Sequence, residues 1–174
     1  MDQTQAQFLA NSLCALWEGE FPATCKVLAA VPDDKKDYRP DPKSRTAWEL
    51  TTHLATADLW FIDSILSGSF NFDPAAAKKA ESQFVKVADV VAFYKNGFPE
   101  ALNKVRAMAG DKLAAPVDFF GLMKMPNVTY LGFANNHSIH HRGQLAAYLR
   151  AMGSKVPAIY GGSADEPFQA AATS

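Results

Sequence analysis

The sequence predicts an all-α chain, a four-helix bundle with long crossover connections. Four long segments carry apolar residues at the three-and-four spacing of a buried helical face, and no segment alternates apolar and polar residues over enough length to build a sheet. The connections run to twelve residues or more, whereas antiparallel neighbours need only short loops. At 174 residues the chain reads as one domain, a bundle over 1–153 with a C-terminal tail over 154–174 packed on it or fraying.

The first helix is expected over 4–30, with Leu9, Leu13, Leu16, Glu20 or Phe21, Thr24, Leu28 and Val31 in phase and a kink at Pro22. Prolines and charges from Pro32 to Lys43 make the next stretch a loop. Ser44 or Thr46 can cap the second helix, and Thr46-Ala47-Trp48-Glu49 fits a capping box. Leu50, Leu54, Ala57, Phe61 and Ile65 form its stripe, His53 lies beside them, Trp48 and Trp60 read as core, and Gly68 marks the end.

Residues 67–82 read as a connection containing at most a short turn. A third helix over 84–109 carries Val87, Val91, Tyr94, Phe98, Leu102, Val105 and Met108 in phase, kinked at Pro99. From Gly110 to Pro126 the chain is again a connection, rich in Phe119, Phe120, Met123 and Met125; it can form a lid over a pocket or a satellite core. Asn127 or Thr129 can cap the fourth helix and Gly153 can close it, before a tail that turns at Tyr160-Gly161-Gly162.

Bulk properties exclude several classes. Hydrophobic residues make up 48% and charged ones 20%, which is globular composition. The net charge of −1, with no Lys/Arg run longer than a pair, offers nothing for neutralising phosphates, so no nucleic-acid partner is expected. Cys14 and Cys25 stand eleven apart on one helix, too far to bridge, and are expected to be reduced. No basic leader or membrane-length apolar run occurs, so a cytoplasmic protein with no membrane contact is expected.

The fourth helix carries the chemistry. Tyr130, Phe133, Ala134, His137, His141, Gln144, Leu145, Tyr148 and Met152 share a stripe, and residues four apart differ by only about 40° around the axis. His137 and His141 can therefore point at one place, and inward-facing His53 can join them. Three neutral imidazoles leave a divalent ion an open position, the catalytic pattern. His140 sits nearer the stripe's edge. Spacing alone leaves a second reading open, in which these are core histidines bonded to backbone carbonyls.

Other residues carry paired readings. Glu49 can orient His53 or serve only the capping box; Asn136, with Asn135, and His140 are candidates for supporting the ligands on the fourth helix. Phe119, Phe120, Met123 and Tyr148 are candidate walls for a substrate pocket, with plain packing as the alternative for Tyr148. Arg142 and Arg150 lie off the stripe and read as surface pairing residues, with holding an anionic substrate at the site mouth as the alternative.

The segment Pro-Lys-Ser-Arg-Thr-Ala-Trp-Glu-Leu-Thr-Thr-His-Leu ending at Leu54, with Asn-Asn-His-Ser-Ile-His-His-Arg-Gly-Gln-Leu ending at Leu145, resembles the DinB family. The resemblance extends from the first helix to Val-Pro-Ala-Ile-Tyr-Gly, and all three histidine positions are filled. It implies a bundle that binds zinc or nickel through His53, His137 and His141 and that forms a homodimer. It further implies a metal-dependent enzyme acting on a small-molecule substrate, most plausibly transferring a low-molecular-weight thiol such as bacillithiol, mycothiol or glutathione to an electrophile. A metal-dependent hydrolase and a non-catalytic metal- or ligand-binding bundle are the alternatives.

Overall fold

The computed structural model describes residues 1–168. In chain order it comprises α1 (Gln3–Ala29), a 3-10 turn (Asp33–Lys35), α2 (Ala47–Ser67), α3 (Pro74–Ser82), α4 (Val87–Arg106), α5 (Gly110–Ala114), strands β1 (Pro116–Phe119) and β2 (Met123–Pro126), and α6 (Thr129–Ala151). The four long helices make the bundle. Each of α4 and α6 packs on both α1 and α2, so α1 and α2 are diagonal to one another. The links from α1 to α2 and from α4 to α6 therefore cross diagonals, which is why neither is short.

Local chemistry sets the helix ends. Asp2 accepts from Gln5 N at 2.8 Å and Gln5 answers to Asp2 N, a capping box for α1. Thr46 and Glu49 do the same for α2, at 3.0 and 2.7 Å. Gly68 ends α2 at φ +70, a left-handed conformation that favours glycine. Prolines 22 and 99 lie inside α1 and α4, which run through them. Pro22 is exposed, so the backbone bond it removes leaves an acceptor on the wet side of α1.

Several expectations need correction. The buried face of α1 is Ala6, Ala10, Cys14, Trp17, Thr24 and Leu28, while Leu16 is 62% exposed. Small Ala and Cys side chains let α1 approach its neighbours closely, and that rotation turns Trp17 inward, edge-on to Phe98 at 5.3 Å. Trp48 and Trp60 are only half-buried. Residues 74–82, expected as connection, form α3: Asp73 accepts from Ala75 N at 2.9 Å, and Pro74 occupies the first turn. Residues 116–126 form a two-stranded antiparallel hairpin pairing Val117 with Met125. Asn127 does not cap α6; its amide donates instead to Ile65 O at 2.7 Å and ties the hairpin to α2. Phe119, Met123 and Met125 pack against the core, as a satellite cluster does. Residues 154–168 of the tail hold ordered contacts, such as Asp165 on Arg150 at 2.6 Å; residues 169–174 lie outside the described residues.

Two buried polar groups fix the rotation of α6. Arg142, expected at the surface, is 1% exposed and pairs with Glu20 Oε2 at 2.6 Å. It also donates to the Glu20 carbonyl, to Thr24 Oγ1 and to Tyr160 Oη, joining α6, α1 and the tail. Asp58, fully buried on α2, accepts from Tyr94 Oη at 2.9 Å and Ser138 Oγ at 2.8 Å, while its Oδ1 has no partner. Burial pushes the Asp58 carboxyl up to about 7, only partly offset by its two hydrogen bonds and by Arg142.

Arg142→Met is expected to cost about 3 kcal/mol in urea unfolding, the low end for one partner of a buried pair because Glu20 keeps some water. A loss within error would show the pair to be idle. Because the folded pKa of Asp58 lies above its unfolded value, its contribution is greatest below about pH 4 and is lost as pH rises through 7. Asp58→Asn should therefore gain stability over the parent between pH 4 and pH 8, by up to about 1.4 kcal/mol per pH unit. A pH-independent difference between the two proteins counts against a neutral Asp58.

Candidate metal centre

His53 projects from the second turn of α2, a position set by the Thr46–Glu49 box, and His137 and His141 project from successive turns of neighbouring α6. Ring centroids are 5.3 Å apart for His53 and His137, 4.8 Å for His53 and His141, and 4.5 Å for His137 and His141. One ring nitrogen from each lies within 4.8 Å of the others. Phe61 closes one side, edge-on to His137 at 5.2 Å.

All three rings are half-buried, and burial is the largest reason each resists protonation. His53 is pushed down to about 3, with Arg45 and the other two histidines adding to burial; His137 is pushed down to about 4, and His141 is lowered despite a hydrogen bond to Gln144. At neutral pH the cluster presents lone pairs. That is the form a divalent ion requires, and the buried Nδ1 of His137, which has no hydrogen-bond partner, is a further sign that the pocket fits one.

Supporting contacts differ from those expected. The Glu49 carboxylate is spent on Thr46 N, Asn136 is exposed, and His140 is exposed, reaching only the His141 ring at 4.9 Å. The neighbours that hold the rings are Gln144, whose Oε1 lies 3.2 Å from His141 Nδ1, and Glu81, whose Oε1 lies 3.7 Å from His53 Nδ1. With His53 uncharged and the separation beyond hydrogen-bond length, the Glu81 contact is not an ion pair; the carboxylate faces the Nδ1 side of the ring. Glu81 comes from α3, the helix that sequence reasoning passed over. Its signal was present in Asp73-Pro74-Ala75-Ala76-Ala77, a cap, an N1 proline and strong helix formers.

A cleft of about 770 Å³ opens from His53 and His137 between α2 and α3, walled by Trp60, Phe61, Phe72 and Phe93 with Arg45 and Glu81 at the histidine end. None of Phe119, Phe120, Met123 and Tyr148 lines it. Phe119 is committed to Phe61, Phe70 and Tyr130, Phe120 sits in the hairpin turn at φ 55, and Tyr148 packs edge-on against Tyr38. Apolar loop residues satisfied the core before any pocket. Among the described residues no helix is long and apolar enough to cross a membrane.

Comparison with known proteins bears on the family and the fold. The DinB family profile matches residues 1–170. The Bacillus subtilis protein YrdA is 30% identical over 166 residues, 95% of this chain and 93% of that protein. The crystal structure of a DinB-like protein from Bacillus cereus superposes with a TM-score of 0.64 at 28% identity, covering 86% of this chain and 97% of that one. A mycothiol-dependent maleylpyruvate isomerase shares the fold alone, with a TM-score of 0.53 at 11% identity over 90% of this chain and 65% of its own.

Two outcomes are expected. Because the folded histidines titrate below the roughly 6.5 of an unfolded imidazole, metal-free protein should hold their full contribution above pH 6.5 and lose it as pH falls toward 4 and then 3. His53→Gln should flatten that acid limb in a melting-temperature series; an unchanged slope would show His53 to be protonated in the fold. Glu81→Ala should weaken zinc binding at least about tenfold in a competitive chelator titration, with helicity intact. Parent-like affinity would remove Glu81 from the centre.

Proposed function

This chain belongs to the DinB family, and we propose on that premise that it is a divalent-metal-dependent enzyme that joins a low-molecular-weight thiol to a small electrophile. One observation carries the reading: three uncharged imidazoles from two neighbouring helices converge, and two of them, His53 and His137, line an apolar cleft. A structural site would use its full ligand set and offer no cleft. The thiol is chosen because the isomerase that shares this fold is mycothiol-dependent.

His53, His137 and His141 would hold the ion, zinc or nickel by their nitrogen donors. A divalent ion there supplies Lewis acidity, which brings the pKa of a coordinated thiol toward neutrality. The remaining work falls to the chain. Gln144 and Glu81 hold two of the rings in place, and Phe61 shields His137 from water. Glu81, its carboxyl raised by burial at the mouth of the centre, takes the thiol proton on Oε1. The sulfur electron pair then forms the new bond to the electrophilic carbon held between α2 and α3, and the displaced group leaves through the open side of the cleft.

Metal content tests the premise and thiol consumption the reaction. Tag-free protein never exposed to a nickel column should carry near one equivalent of metal per chain, and His141→Ala less than about a tenth of that. Loaded parent should accelerate loss of bacillithiol, mycothiol or glutathione in the presence of monobromobimane or 1-chloro-2,4-dinitrobenzene. Metal without thiol loss in any combination would end the transferase reading, and product release without thiol would replace it with hydrolysis.

A further inference from the structure

The cleft between α2 and α3 has a chemistry of its own. Helix α3 fully buries none of its side chains, yet Ala76, Ala77 and Ala80 line the cleft that Trp60 lines from α2. The result is a slot with methyl groups on one wall and an indole on the other, at a volume of about 770 Å³ that suits a small organic molecule. Phe72 stands edge-on to Trp60 at 5.9 Å and extends the aromatic wall.

Charge at the histidine end is uneven. Arg106, Arg142 and Arg150 each pair with a carboxylate at 2.6 Å, whereas Arg45, on the rim beside His53 and His137, makes no hydrogen bond or ion pair among the described residues. Arg39 is likewise unpaired but does not line the cleft. The cleft's acids are placed otherwise. Asp73 caps α3 through Ala75 N, and Glu81 faces His53 Nδ1. Asp63 lies ten residues beyond His53 on α2, about 15 Å along the axis. Trp60 stands between, seven residues from His53. Glu81 shares that end but faces His53, so Arg45 is the guanidinium there left to meet an anion, while a flat apolar body fits the middle of the slot.

We propose that this slot binds an aromatic monoanion, with the ring between Trp60 and the alanine face of α3 and the carboxylate or sulfonate on the Arg45 guanidinium. Its role as substrate rests on the thiol-transfer reading, which then acts on aromatic acids; its binding does not. Arginine suits the task because its planar donor fork matches two oxygens of such a group. The arrangement also leaves the end of the ring that carries the anion nearest the histidines, where the sulfur is activated.

Two probes of one scaffold separate the terms: 1-anilinonaphthalene-8-sulfonate, which is anionic, and N-phenyl-1-naphthylamine, which is neutral. Their affinities are measured by fluorescence on full-length protein, with and without chelator, for the parent, Arg45→Gln, Arg45→Lys and Ala77→Phe. One sulfonate probe should bind per chain, Arg45→Gln should weaken it about tenfold while changing the neutral probe less than about twofold, and Arg45→Lys should fall between. Ala77→Phe, on a helix that fully buries no side chain, should block both without lowering the melting temperature. Raised salt should weaken the sulfonate in the parent and not in Arg45→Gln. Equal effects on both probes, no effect of Arg45→Gln, or binding that survives Ala77→Phe would overturn the proposal. Arg45-dependent binding in protein that consumes no thiol would retire the reaction and leave the slot standing; thiol transfer indifferent to Arg45 and to the electrophile's charge would do the reverse.

Discussion

Three imidazoles can stand between α2 and α6 only while uncharged, and the rest of the structure is arranged around that constraint. A protonated ring there would sit among two others, with the Arg45 charge nearby and no carboxylate within hydrogen-bond distance. The fold supplies weak supports instead: an amide oxygen for His141, a carboxylate beyond hydrogen-bond distance for His53 and an aromatic edge for His137. The deeply buried charge, Arg142, lies elsewhere on α6, with a half-buried partner on α1. Arg142 follows His141 directly but points about 100° away around the helix, where Glu20 of α1 meets it. Rotating α6 to relieve one side would strand the other, so the ion pair and the histidine cluster fix each other's position.

Asp58 shows the same logic from the acid side. A fully buried carboxyl that accepts from Tyr94 and Ser138 is tolerable when protonated, and Ser138 is the residue that follows His137. The network thus ties α4 and α2 to the turn of α6 that bears the first of its two cluster histidines. Polar groups in this core do not add bulk stability so much as select one register among the several that an apolar stripe permits.

The bundle was legible because long amphipathic stripes and the Thr46–Glu49 box are local signals with few competitors. His137 and His141 were legible as a pair for the same reason, helical spacing being short-range geometry, whereas His53 joined them through its place beside an apolar stripe and the resemblance to the DinB family. What escaped had two causes. Hydrophobic periodicity weighs Leu16 above Ala10 and Cys14, yet close packing rewards the small residues, and the α1 face turned accordingly. Positions held by long-range partners gave no local sign: Arg142 looks like any surface arginine until Glu20 and Tyr160 close on it, and Glu81 gains meaning only once α3 lies over α2. Phe119 and Phe120 misled for a related reason, since apolar residues in a connection serve a satellite core as readily as a pocket.

Division of labour among the helices follows from these contacts. Two of the cluster's residues come from α6 and one from α2, so an ion there would brace a pair of helices already joined by packing and by Asp58 to Ser138. Helix α3 is the opposite case. It fully buries no side chain, touches the bundle chiefly through α2, and still contributes one wall of the cleft and the carboxylate that faces His53. Stability and access are therefore assigned to different elements: the four long helices make the core, two of them bearing the histidines, and the short one, with little of the core to lose, walls the cleft beside them.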